Sequence, residues 1–112
     1  MSVALLIHYE ALEDTYTPFA TESFFFDNWD PFIRSIAAQF SDIEMLLDLE
    51  SGRTFAASEV PGLLMALELL GNEINASTID PDIKSFMMDR LGQVRKPLMT
   101  FAQDGGVEVF FG

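Results

Sequence analysis

The stretch DIEMLLDLE, residues 42–50, alternates between two kinds of side chain. Ile43, Met45, Leu47 and Leu49 fall on one side; Glu44, Leu46, Asp48 and Glu50 fall on the other. A period of two is the signature of a half-buried strand, with one face in the core and one in water. Ser51-Gly52-Arg53 then forms a three-residue hairpin loop, and Leu49 pairs with Phe55 so that both point inward. A hairpin here implies a mostly antiparallel sheet rather than a helical bundle. It also implies a well-defined acidic face made of Glu44, Asp48 and Glu50.

Before this stretch lies FFFDNWDPF, residues 24–32. Asp30-Pro31 predicts a helix start, because Asp accepts a backbone N–H at the cap and Pro has none to lose at the first helical position. Trp29, Ile33, Ile36, Ala37 and Phe40 recur at helical spacing. Phe24–Phe26 either extend a strand or plug the core from a loop, since three consecutive side chains cannot share one face of a strand. Further upstream, VALLIHY (residues 3–9) is apolar at nearly every position, which predicts a central strand covered on both faces. Glu10–Ser23 is polar, contains Pro18 and predicts a loop.

Downstream, Ser58 is the expected cap of a second helix running to about Ile74. Val60, Leu63, Leu64, Leu67, Leu70 and Ile74 form its core stripe, and Gly62, Met65 and Leu69 lie on the opposite side. A helix apolar on two faces is buried twice or binds something, so Met65 and Leu69 are candidates for an oligomer or partner contact. Asp80-Pro81 repeats the Asp-Pro cap and opens a third helix with Ile83, Phe86, Met87 and Leu91 inward and Gly92 at its end. PLMTFAQDGGVEVFF (residues 97–111) predicts a terminal hairpin around Asp104-Gly105-Gly106. Met99, Phe101, Val107, Val109 and Phe111 would share one face of it, with Thr100, Ala102, Glu108 and Phe110 on the other. The expected architecture is one α+β domain over residues 1–112, with about three helices on a mostly antiparallel sheet of four to six strands.

Composition narrows the function. An apolar fraction of 49% with 21% charged residues describes a globular chain. With no cysteine, neither a disulfide framework nor a thiolate zinc site can form. No apolar run approaches the length of a bilayer span, and MSVALLIHYE has neither the basic start nor the cleavage site of a signal peptide. Eighteen acids against six bases give a net charge of −12. No Lys or Arg precedes Arg34, and four of the six bases fall between Lys84 and Lys96. Such a field repels nucleic acid and anionic membranes and attracts cationic partners.

No residue set carries a recognisable chemistry. His8, the only histidine, lies in a predicted buried strand far from any nucleophile motif. The Asp27/Asp30 and Asp80/Asp82 pairs do not match a calcium loop, and the isolated glycines do not form a phosphate cradle. No enzyme activity, cofactor or metal is therefore expected. In size, acidity and absence of a catalytic motif the chain resembles, as a class, the bacterial immunity proteins and antitoxins. The expectation is a cytoplasmic inhibitor of a basic, toxin-like protein, docking through Glu44, Asp48 and Glu50 and through Met65 and Leu69. Two further readings stand beside it: a homo-oligomeric structural or adaptor domain, such as a homodimer, packed through Gly62, Met65 and Leu69, and a small-ligand or enzymatic domain with a pocket at Phe24–Phe26.

Overall fold

A computed structural model of the chain describes residues 2–112. Its sheet has four strands, β1 (Ser2–Tyr9), β2 (Thr15–Thr21), β3 (Arg53–Ala56) and β4 (Gly106–Phe111), in the order β2-β1-β4-β3 with every neighbour antiparallel. The helical segments are α1 (Glu22–Phe24), α2 (Asp30–Ala37), α3 (Val60–Ala76) and α4 (Pro81–Met99). They cover one face of the sheet, where Leu5, Ile7, Phe55, Val109 and Phe111 join one core with Trp29, Leu63, Leu67 and Leu91. This is the α+β class that the hydrophobic patterning predicts.

β1 is central, as expected, but it is covered on one face only. Val3, Leu5, Ile7 and Tyr9 are buried, while Leu6 and His8 point to solvent. The polar segment after it is not all loop, for Thr15–Thr21 pairs with β1 as an edge strand. Pro18 is tolerated there because an edge strand needs only half of its backbone groups for the ladder.

The first helix begins earlier than its Asp-Pro signal. Thr21 caps it, its hydroxyl accepting the Phe24 N–H at 3.2 Å. A π-helical stretch, Phe25–Trp29, joins α1 to α2 without a break. There the Asp30 N–H reaches back to the Phe25 carbonyl. The widened turn comes immediately before Pro31, whose ring would crowd the carbonyl four residues back in a regular α-helix. Asp30 is thus an interior helical residue, not a cap, and its carboxylate accepts from Arg34 Nε at 3.0 Å. The helix also explains the three phenylalanines. Successive side chains fan around the axis, so Phe25 is buried, Phe24 is half-buried edge-on to Phe86, and Phe26 is exposed.

Residues 42–50 are not a strand. They form two 3-10 turns, Ser41–Leu46 and Leu49–Ser51, separated by Asp48 in the left-handed region at φ 59°. Ile43, Leu46 and Leu49 are the buried positions, three apart, which is the period of a 3-10 helix. Leu46, expected outside, is therefore core, and Met45 and Leu47 are only half-buried. The expected hairpin with β3 is absent, and Phe55 pairs instead with Val109 of β4.

Ser58 does not cap α3. The Glu59 carboxylate takes the Ala56 N–H at 2.9 Å from within a short 3-10 turn, Ala57–Glu59. Asp80 does cap α4, accepting from the Asp82 and Ile83 N–H groups at 2.9 and 3.2 Å. α4 does not stop at Gly92. It continues to Met99 and buries Val94 and Leu98, so the expected terminal hairpin reduces to a single strand, β4. Met99 is exposed and Phe101 buried, where one strand face was expected to carry both. Phe86, expected inward on α4, is largely exposed. Met88 instead fills the groove above Gly71, where α3 and α4 approach closely.

Candidate protein-binding face

Strand register defines the face that the helices leave open. Tyr16, Leu6, Phe110 and Thr54 stand side by side across all four strands. The adjacent row runs from His8 through Glu108 to Ala56. Directly opposed residues share a face, so these side chains form one surface. Open faces of antiparallel sheets are normally polar. This one carries Tyr16 at 60%, Phe110 at 41% and Leu6 at 37% exposure.

The Phe110 ring is held in place by what lies under it. A Cβ built on Gly52 would sit 2.8 Å from its Cζ, and one on Gly112 would sit 3.1 Å away. Gly52 also adopts φ +85°, which side-chain-bearing residues rarely adopt. The ring therefore lies over two positions that only glycine fits. Beside it the row Pro18–Ala4 continues to Gly112, which exchanges both backbone hydrogen bonds with Ala4 at 3.0 and 3.1 Å. The result is a shallow floor of small residues beside an aromatic ridge.

One end of this face is acidic. His8 Nδ1 lies 2.8 Å from Asp14 Oδ1, and Glu108 is paired across the strands with His8. Glu10 follows β1, and its N–H donates to the Gly105 carbonyl at 3.0 Å, which brings the turn containing Asp104 alongside. β1, β2, β4 and residues 97–105 contain no Lys or Arg. The sheet's one base, Arg53, is on the same side of β3 as Phe55, over whose ring its guanidinium lies at 5.0 Å, and it donates to the Met45 carbonyl. It turns away from the open face. His8, expected to be buried, is thus an exposed residue of the acidic end.

Of the acids singled out from sequence, Glu44 and Asp48 both lie near Arg34, and Glu50 lies elsewhere. Asp48 is engaged by Arg34, which also holds Asp30. Asp30 and then Asp48 raise the guanidinium's already high pKa by hydrogen bonding. Glu50 is half-buried beside Ser2, Val3 and Phe26, with one carboxylate oxygen enclosed and unpartnered. Glu44 is exposed, its side chain has no hydrogen-bonded partner among the described residues, and it lies near Arg34, Ala37, Ala38 and Leu47. Of the apolar pair on α3, Met65 is 63% exposed while Leu69 packs partly against the core. Leu6, Tyr16 and Phe110 were missed as a group because register, not local pattern, brings them together. The visible signal was Phe110 falling opposite to Val109 and Phe111 in the terminal alternation.

No group of three or more His, Cys, Asp and Glu is placed to hold a metal ion among the described residues, and no helix there is long and apolar enough to cross a membrane. Comparison with family models, with curated proteins and with solved structures returned no match.

Proposed function

We propose that this chain is a non-catalytic inhibitor of the immunity-protein kind, which binds a basic protein such as a toxin or nuclease and neutralises it. The observation that carries this reading is the open sheet face. Its apolar row, Tyr16–Leu6–Phe110, is bordered at one end by Glu10, Asp14 and Glu108, while Arg90 of α4 reaches the Pro18 carbonyl of β2. Apolar anchors within a charged rim are the anatomy of a protein interface. The rim's charge selects a basic partner and speeds its approach. Against a nuclease, the acids of the rim would stand where substrate phosphates bind. A second copy fits this face poorly, since each copy carries −12 and the acidic ends repel. This reading places the protein in the bacterial cytoplasm, a compartment compatible with a chain lacking cysteine.

The test starts from proteins captured on the wild-type chain in a lysate of its native host, purified and then assayed one by one. A partner should be basic, should bind more slowly as salt rises, and should bind Phe110→Ala more weakly by about 2 kcal/mol, as expected for a central aromatic anchor. An acidic partner, or one indifferent to Phe110→Ala, would remove the reading. The exposure of Met65 supports one other reading, a homodimer through α3. Sedimentation of wild type against Met65→Asp decides it, because a monomer at high concentration in both excludes that dimer.

A further inference from the structure

A groove of about 370 Å³ opens where the start of α3 meets the end of α4. Val60, Pro61 and Leu64 line it from one helix, Leu98 and Met99 from the other, and Phe101 from the turn beyond. No lining side chain ionises or donates a hydrogen bond. Met99, at 67% exposure, forms a flexible lip. Small-molecule sites pair an apolar cavity with a few polar groups that orient the guest. Here no side chain supplies such a group; only main-chain N–H and C=O groups add polarity, which favours a guest that brings its own anchorage. A side chain carried on a partner's backbone meets that condition.

Two observations identify the partner. The groove adjoins the acidic end of the sheet, because Gly106 and Ala57 line it while their neighbours reach the open face. Val107 separates Gly106 from Glu108, and Ala56 pairs with Glu108. The charges beside the lining residues are also mostly negative. Glu59, whose carboxylate accepts the Ala56 N–H, precedes Val60, Asp104 lies between Ala102 and Gly106, and Glu108 lies two residues further on, against two bases, Lys96 and Arg95, the latter one helical turn before Met99. We propose that the groove takes a bulky apolar side chain from the same basic partner, on a segment where Lys or Arg flanks that residue. The proposal rests on the open sheet face being the docking surface, and it extends that surface around the end of β4.

Methyl-labelled methionine makes the test direct, because Met99 reports on the groove and Met65 does not line it. Three capped peptides serve as probes: Lys-Lys-Trp-Lys-Lys, Lys-Lys-Ala-Lys-Lys and Glu-Glu-Trp-Glu-Glu. The first should shift the Met99 methyl resonance saturably and leave Met65 in place. The alanine peptide should bind about tenfold more weakly, as loss of one buried aromatic implies, and the glutamate peptide should not bind. Ala102→Trp, at an exposed lining position, should fill the groove and abolish the shift without altering the unfolding midpoint. A Met99 response that is equal for tryptophan and alanine, or that survives Ala102→Trp, overturns the proposal. The Tyr16 and Phe110 ring resonances report on the sheet face in the same samples. Shifts there without Met99 overturn the groove and leave the docking face standing. A Met99 shift without them supports the groove and overturns the sheet-face reading, and silence at both overturns both.

Discussion

Residues 42–50 and residues 106–111 both alternate apolar with polar or exposed positions, yet only the second is a strand. The first is built from Leu, Met, Glu and Asp, which have little preference for extended backbone, and the second from Val and Phe, which favour it. Ile43, Leu46 and Leu49 also satisfy a three-residue period, so alternation there was one of two patterns present. β4 in addition finds a neighbour on each side, β1 and β3, whereas Ser41–Leu46 packs against α2 and α3 and Leu49–Ser51 touches β1 without joining the sheet. The two regions also use their acids differently. Asp48 is tied to Arg34 and Glu50 is partly enclosed, while Glu108 stands on the open face beside His8. Of Glu44, Asp48 and Glu50, only Glu44 is exposed and without a cation partner among the described residues, whereas Glu108 is exposed on a face that also carries apolar side chains.

The largest effect that can break this comparison is at Leu46. A strand with the expected register would leave it outside, and Leu46→Ala would then cost almost nothing. As a buried 3-10 position it should cost about 2–5 kcal/mol in denaturant unfolding. Gly52→Ala comes next. It strains a left-handed backbone and drives a methyl group into the Phe110 ring. It should destabilise by about 1–3 kcal/mol and should also disorder the Phe110 resonances, which a purely local backbone effect would leave unchanged.

The two Asp-Pro pairs sharpen the same point on a smaller scale, because identical dipeptides have different roles. Asp80 accepts two backbone N–H groups, so Asp80→Ala should cost about 0.5–2 kcal/mol. Asp30 lies inside a helix and holds only the half-exposed Arg34, so Asp30→Ala should cost under about 1 kcal/mol. Equal losses would mean that Asp30 caps a helix after all.

These contrasts show what could be read from the chain alone. The central position of β1, the Asp80 cap, the core stripe of α3 and the α+β class follow from strong local patterns. The edge strand at Thr15–Thr21 was hidden by Pro18, which is compatible with an edge but reads as a loop. The continuation of α4 beyond Gly92 was hidden because tertiary packing of Val94 and Leu98 outweighs one glycine's helix penalty. The open sheet face was hidden for a different reason. Leu6, Tyr16 and Phe110 are far apart in sequence, and only the order β2-β1-β4-β3 sets them in a row.

The central claim is that the acids around the open face, and not those of 42–50, meet the partner. Two triple variants test it with net charge held equal: Glu10→Gln with Asp14→Asn and Glu108→Gln, and Glu44→Gln with Asp48→Asn and Glu50→Gln. Each removes three negative charges from the −12 of the wild type. Association rates with the purified partner are measured at low and moderate salt. The first triple should slow association about tenfold at low salt and flatten its salt dependence, as loss of steering charge does, and the second should leave both nearly unchanged. Equal slowing by the two would reduce the effect to overall charge, and greater slowing by the second would contradict the account.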